Sequence, residues 1–444
     1  MTREARSPAA ARLLELRRRN PPPVASFRHR VRDVVLLASS SRGGSTITAE
    51  ILRRSNHLLH CRAEVNPFLR LTGHDWCDSG TDSDALGAEH LADVDGLEQL
   101  LAWDVGHPIE TLPDAQALEH LGTEVHWRLS LQWPLERFAL GEVQSWTRRC
   151  LRRLEAEHGW APGTFPDRAL FWALLLDLAV AEHACMQTWA YDVDPALAAA
   201  HGGRGAPLGS APSPLLFEEP PFVTVGPWQH VDADSVSRPL LIKTPANAYR
   251  LPFWRAFFPN ARIRLLHLTR SAAASVNGLY DGWRFPGFHS VPLSRPMRAP
   301  GYSDAIPEAA TWWKFDLPPG WRAWTEQPLV EICGFQWRSA HAAILADLDR
   351  GEHDALRVRF EDVVGEPAKR QEALERICAW LGIPLEGGLA EVCDALPAPV
   401  MATHQPRQRR WFDKAALLEQ VLGRDDTRQV MERLGYGQDP RLWI

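Results

Sequence analysis

Residues 34–38 form a short, unbroken apolar run of valine, leucine and alanine, and a serine- and glycine-rich loop separates it from residues 46–54, where apolar positions take up a helical spacing. A run of that kind, without polar alternation, predicts a strand buried on both faces, as in a parallel sheet. Residues 58–61 predict the next strand, reached through a short turn at 55–57. From about 72 to 237 the spacing is helical, with amphipathic stretches near 85–101, 115–138, 143–158 and 166–191 and a Gly/Pro/Ala segment at 201–214. Strand and helix patterns then alternate: strand 239–243, helix 246–258, strand 262–268, helix 272–280 and, further on, helix 329–348, strand 356–360 and helix 367–381. The stretch 283–324, rich in Pro, Gly and Trp, shows no period and is too long for an ordinary connection, which marks it as a lid or binding loop.

This alternation predicts an α/β fold with a three-layer parallel sheet flanked by helices. A large helical insertion over about 72–237 covers the sheet, and an aromatic-rich lid spans about 283–325. Residues 1–32 read as a basic N-terminal extension, a solvated amphipathic helix ended by Pro21 to Pro23, and 33–444 as the main domain.

Composition narrows the classes of function. At 444 residues, 45% hydrophobic and 23% charged, the chain can bury a full core without staples, and a net charge of −6 speaks against nucleic acid as a partner. Seven scattered cysteines, with no CxxC pair and no zinc spacing, read as reduced thiols of a cytoplasmic protein with no structural metal. The most apolar window, 169–181, carries Asp177 and falls short of the roughly 20 residues a membrane span needs. Nineteen tryptophans are unusual; core packing accounts for most, and an aromatic acceptor site, with Trp283 as a lining residue, would use the same residue type.

The chemistry is concentrated after the first strand, in Ser39-Ser40-Ser41-Arg42-Gly43-Gly44-Ser45-Thr46. Glycines let backbone N–H groups turn inward, hydroxyls add donors, and the following helix start carries partial positive charge, so the loop suits a phosphate. No lysine precedes Ser45 or Thr46, as a nucleotide-triphosphate loop would require, and Arg42 is the one cation in the loop. A sulfuryl group carries less charge than a phosphoryl group and can be handled by side-chain cations and amides without a metal, so this cradle fits sulfuryl transfer better.

Ser41-Arg42-Gly43-Gly44-Ser45-Thr46 resembles the 5'-phosphosulfate loop of the sulfotransferases that use 3'-phosphoadenosine 5'-phosphosulfate (PAPS). The resemblance extends to Leu265-Leu266-His267-Leu268-Thr269-Arg270-Ser271, similar to the family's 3'-phosphate site, and to Lys243-Thr244-Pro245, similar to its lysine at a strand end. Arg359-Phe360-Glu361-Asp362-Val363 is similar to a scaffold element of the same family, and 403–411 to its late loop over the nucleotide. The resemblance implies the P-loop-like sulfotransferase fold, PAPS as donor, 3',5'-ADP as product and no required metal. It implies that Ser41 to Thr46 and Arg270 hold the donor, with Ser275 or Asn277 in place of the usual serine and Arg407 and Trp411 at the 3'-phosphate and adenine. Lys243, with Arg42, would neutralise the departing oxygen. Glu64 leads as the base that deprotonates the acceptor, with His60 and His404 as alternatives and as further acceptor contacts.

The acceptor itself, a small molecule or a carrier-tethered intermediate, is not specified by these residues, nor is the oligomeric state. Two rival readings stand beside this one: a metal-dependent nucleotide kinase or NTPase on a related sheet, and a non-catalytic nucleotide-binding relative.

Overall fold

The strand β1 (Asp33–Ala38) is hidden from water along its apolar length because it is paired on both sides. A computed structural model describes residues 3–75, 79–200, 211–351 and 354–437. The other strands are β2 (Leu59–Cys61), β3 (Val105–Pro108), β4 (Trp228–His230), β5 (Leu240–Lys243), β6 (Arg262–Thr269), β7 (Val291–Pro292), β8 (Trp312–Trp313) and β9 (Asp354–Arg359). Among the described residues seven of them form one sheet in the order β4-β3-β2-β5-β1-β6-β9, in which the pairs from β2 to β9 are parallel.

Side chains alternate across a strand, and β1 shows the result. Val34, Leu36 and Ala38 enter one core, with the segment Leu251–Phe257 and with Ala340 and Ile344 of the long helix Leu329–Asp349. Val35 and Leu37 enter another on the opposite face, with Ala49, Ile51 and Leu52 and with Leu374 and Ile377 of the helix Pro367–Leu381. Covered on both faces, the sheet is the middle of three layers.

The helices used below are α1 (Arg3–Arg18), α2 (Ser45–Leu52), α3 (Val94–Asp104), α4 (Ala115–Gln132), α5 (Leu140–His158), α6 (Arg168–Glu182), α7 (Ala272–Arg284), α8 (Leu329–Asp349) and α9 (Pro367–Leu381). Within the stretch expected to be helical, α4, α5 and α6 build a core of their own around Trp133, Trp146 and Trp172. That stretch also contributes β3 and β4, which extend the sheet antiparallel, so the sheet is mixed and not wholly parallel. Gly106 makes their approach feasible: a Cβ there would lie 2.0 Å from the carbonyl oxygen of Gln229.

Two further expectations change. α1 is not a solvated appendage, since Leu13 is buried and Arg17 makes a buried bidentate pair with Glu124 at 2.7 and 2.8 Å. Trp283, Trp313 and Trp321, in the stretch read as a lid, are buried with α7 and α8, and Trp283 Nε1 donates to Gln336 Oε1 at 2.9 Å. Their rings form core there, because the long connection folds back as the β7–β8 pair and covers its own apolar side chains. No helix of the described residues is long and apolar enough to cross a membrane.

Candidate active site

The loop between β1 and α2 is shaped by two residues in the left-handed region, Arg42 at φ 59° and Gly44 at φ 93°. Neither glycine beside Arg42 tolerates a side chain: a Cβ on Gly43 would meet Ser39 Oγ at 2.2 Å, and one on Gly44 would meet the Phe360 ring at 2.2 Å. Gly43 N–H closes a turn on the Ser40 carbonyl at 3.0 Å, and α2 starts at once behind it. The hydroxyls of Ser39 and Ser40 are buried without a protein partner.

Arg270 leaves the end of β6 and reaches this loop. Its guanidinium donates to the Arg42 carbonyl at 3.0 Å and lies over the Phe360 ring at 4.8 Å, while its Nε is buried and unsatisfied. Arg42 donates to the Met401 carbonyl at 2.9 Å and lies over Phe288. Burial, followed by the fields of Arg270 and Arg410, pushes the Arg42 guanidinium down to about 10, with Asp281 and Asp192 opposing. Two half-buried guanidinium groups that repel each other beside orphaned hydroxyls describe a place short of negative charge.

Lys243 ends β5, which pairs with β1, and Glu64 follows β2, which pairs with β5 on its other side, so these parallel strands deliver all three segments to the same edge of the sheet. Lys243 Nζ donates to Glu64 Oε1 in a close ion pair and to Thr46 Oγ1 at 2.9 Å. Asn66 Nδ2 and Thr244 Oγ1 each lie 3.4 Å from Glu64 Oε2, and Arg250 fixes Asn66 at 2.6 Å. The Lys243 side chain is 11% exposed and that of Glu64 33%, so the carboxylate keeps a face that a second molecule can reach.

The remaining candidates divide. Ser275 is buried in the first turns of α7 with an unpartnered hydroxyl, and Asn277 accepts from Lys414 at 3.2 Å. His60 is 1% exposed; it points to the face of the sheet opposite Leu59 and Cys61, and burial holds its pKa well below the usual histidine range. His404 is exposed and lies 3.9 Å from Asp281. Arg407 pairs with exposed Asp413 at the surface, and Trp411 is buried in the core beside α7 and α8, stacked on Phe412 with ring centroids 4.1 Å apart. From the same segment Arg410 and Lys414 turn inward instead and grip Asp281 at 2.9 Å each, because a short 3-10 turn over Arg410–Lys414 brings them to the same side.

Sequence reading missed Asp316. Its Oδ1 accepts from Ser41 Oγ at 2.5 Å and its Oδ2 from Tyr249 at 3.1 Å. Burial raises this carboxyl to about 6, against the lowering effect of the Ser41 bond. Nothing around Asp316 in sequence signals the contact, since 275 residues separate it from Ser41.

Among the described residues, no cluster of three or more His, Cys, Asp or Glu side chains suits a metal ion. No family profile and no curated protein matches the chain. Among solved structures, the chain is similar to a sulfotransferase domain from the curacin biosynthetic pathway at 13% identity and TM-score 0.35, covering 92% of this chain and 99% of that one. It is similar to the sulfotransferase domain of the Synechococcus PCC 7002 olefin synthase at 14% identity and TM-score 0.34, covering 92% and 96%. A sulfotransferase from Mycobacterium avium aligns at 11% identity and TM-score 0.34, over 91% and 77%.

Proposed function

We propose that this chain is a sulfotransferase that takes PAPS as donor and passes its sulfuryl group to an acceptor hydroxyl. One observation carries the reading: half-buried Arg42 and Arg270 meet at a single loop whose serine hydroxyls lack protein partners, and that loop is tied through Thr46 to Lys243 and Glu64. Unsatisfied buried donors fit an acceptor-rich anion, which is what the two ends of the donor offer.

In this reading the loop amides, Ser39, Ser40 and Arg42 hold the phosphosulfate end, and Arg270 with Ser275 holds the 3'-phosphate. When bound, the donor supplies an activated sulfuryl group whose bond to the bridging oxygen breaks as the acceptor oxygen attacks. Lys243 Nζ has three protons and directs two at Thr46 and Glu64, which leaves one for an oxygen on the leaving side. Glu64, still partly open to solvent, takes the proton from the acceptor hydroxyl at its carboxylate, and Asn66 and Thr244 hold it in place.

Calorimetric titration with 3',5'-ADP, 5'-AMP and Mg-ATP tests this. The expected result is a metal-independent preference for 3',5'-ADP of at least about tenfold over 5'-AMP, the scale of one charge-assisted contact. Equal affinity for 5'-AMP, or preference for Mg-ATP, would overturn the donor assignment.

A further inference from the structure

A cavity of about 170 Å³ lies where the end of β2, the outer β3–β4 edge and the start of α6 meet. Arg53, Arg62 and Arg168 line it, against one carboxylate, Glu110. Phe165 and Trp228 are its aromatic lining residues.

Two of the arginines are built in. Arg62 is 6% exposed; its guanidinium lies over the Trp228 ring at 5.1 Å, one nitrogen meets His230 Nε2 at 3.3 Å, and Glu124 is 3.5 Å away, yet its Nε has no partner. Arg53 donates to the Cys61 carbonyl at 3.1 Å and pairs with Glu50, and its Nε is likewise buried and unsatisfied. Burial lowers Arg62 to about 10 even with Glu124 and Asp104 nearby, so its charge is under-compensated. The unmet side-chain groups are all donors, and three arginines face a single lining carboxylate, which calls for an anionic acceptor group, of which a carboxylate is the planar match to a guanidinium fork.

The cavity is linked to the Glu64–Lys243 pair through Arg62, which lines it and lies two residues before Glu64. Arg62 and Glu64 flank Ala63, and Glu50 stands in the fields of Arg53, Arg168 and Lys243 together. A ligand anchored by its acid group at the arginines therefore has the Glu64–Lys243 pair as its neighbour. With Phe165 and Trp228 as walls and room for a small molecule only, the ring of such a ligand would pack on aromatic faces.

We propose that this cavity anchors the acid group of the acceptor, which makes the acceptor a small ring carboxylate bearing the hydroxyl to be modified. The acceptor role rests on the sulfotransferase reading; the anion site does not. The test is calorimetry on the full chain with 4-hydroxyphenylacetate and its neutral primary amide, alongside 3',5'-ADP. The acid should bind at least about tenfold tighter than the amide, and Arg168→Gln and Arg53→Gln should each remove most of that preference, as loss of a charge-assisted contact does. Titration of 3',5'-ADP should be the same in the variants as in the wild type, which also shows that they are folded. No binding of the acid, equal binding of acid and amide, or an acid preference that survives both substitutions would overturn the site. Acid selectivity that depends on Arg168 without any affinity for 3',5'-ADP would retain the anion site and sink its role in sulfuryl transfer.

Discussion

Lys243 is held by two groups of different kinds, the Thr46 hydroxyl at the start of α2 and the Glu64 carboxylate beyond the neighbouring strand. Replacing it by methionine keeps the stem and removes the charge, and Glu64, one-third exposed, can then be hydrated without a folding penalty of buried-charge size. Lys243→Met should lower turnover about 100-fold or more, as loss of one preorganised donor does, with 3',5'-ADP affinity little changed. Rates in the presence of labelled donor and titration of the product nucleotide separate the two effects, and unimpaired turnover would remove Lys243 from the chemistry. Asp316 makes a prediction about pH. Burial raises its carboxyl from 3.8 to about 6, so the folded chain holds this proton more tightly than the unfolded chain. The stability this gives is complete below the unfolded value and is lost as the pH rises through about 6. Asp316→Asn should remove that loss and stabilise the protein at pH 7.5 by up to about 3 kcal/mol, with the gain fading toward pH 4. Denaturant midpoints at the two pH values check it; a stability loss at pH 7.5 would show that the charged Ser41 contact outweighs the burial.

Elements differ in how plainly the sequence announces them. β1 and β5 were legible as apolar runs because they lie inside the sheet with both faces covered, and β6, broken by Arg264 and His267, from its place in the alternation of strands and helices. β3 and β4 were not, since Val-Gly-His-Pro and Trp-Gln-His carry no period and become strands only by pairing with each other and with β2. The tight loop after β1 was legible from its glycines and serines, and the positions of Lys243 and Glu64 at or just beyond strand ends from the apolar runs before them. The choice of Arg410 over Arg407 was not, because in a run of basic residues only the 3-10 turn decides which side chain faces Asp281. Gly44 shows how tightly the loop is fitted to the element behind it. Gly44→Ala combines a left-handed backbone with a clash against Phe360 and should cost at least about 2 kcal/mol. Urea denaturation measures this, and the added change Phe360→Ala should recover part of it by relieving the clash; no recovery would assign the whole cost to the backbone.

At the scale of the molecule, buried charges join parts that are far apart in sequence. Arg17 of α1 holds Glu124 of α4, and Glu124 faces Arg62 beyond β2. Arg128 of α4 bridges Glu218 at 2.7 Å and Asp104, the last residue of α3, at 3.2 Å, and Asp104 also accepts from the Arg62 backbone N–H at 2.9 Å. Removing one partner from such a set strands the others without water, at a cost of roughly 3–5 kcal/mol. The helices inserted between β2 and β5 are thus wired into the parallel sheet, and Arg62 belongs at once to this network and to the cavity wall. A shortened protein that kept the loop after β1 but dispensed with α1 or α4 would unseat Arg62, and with it the acid anchor proposed for the cavity, because one guanidinium is common to both.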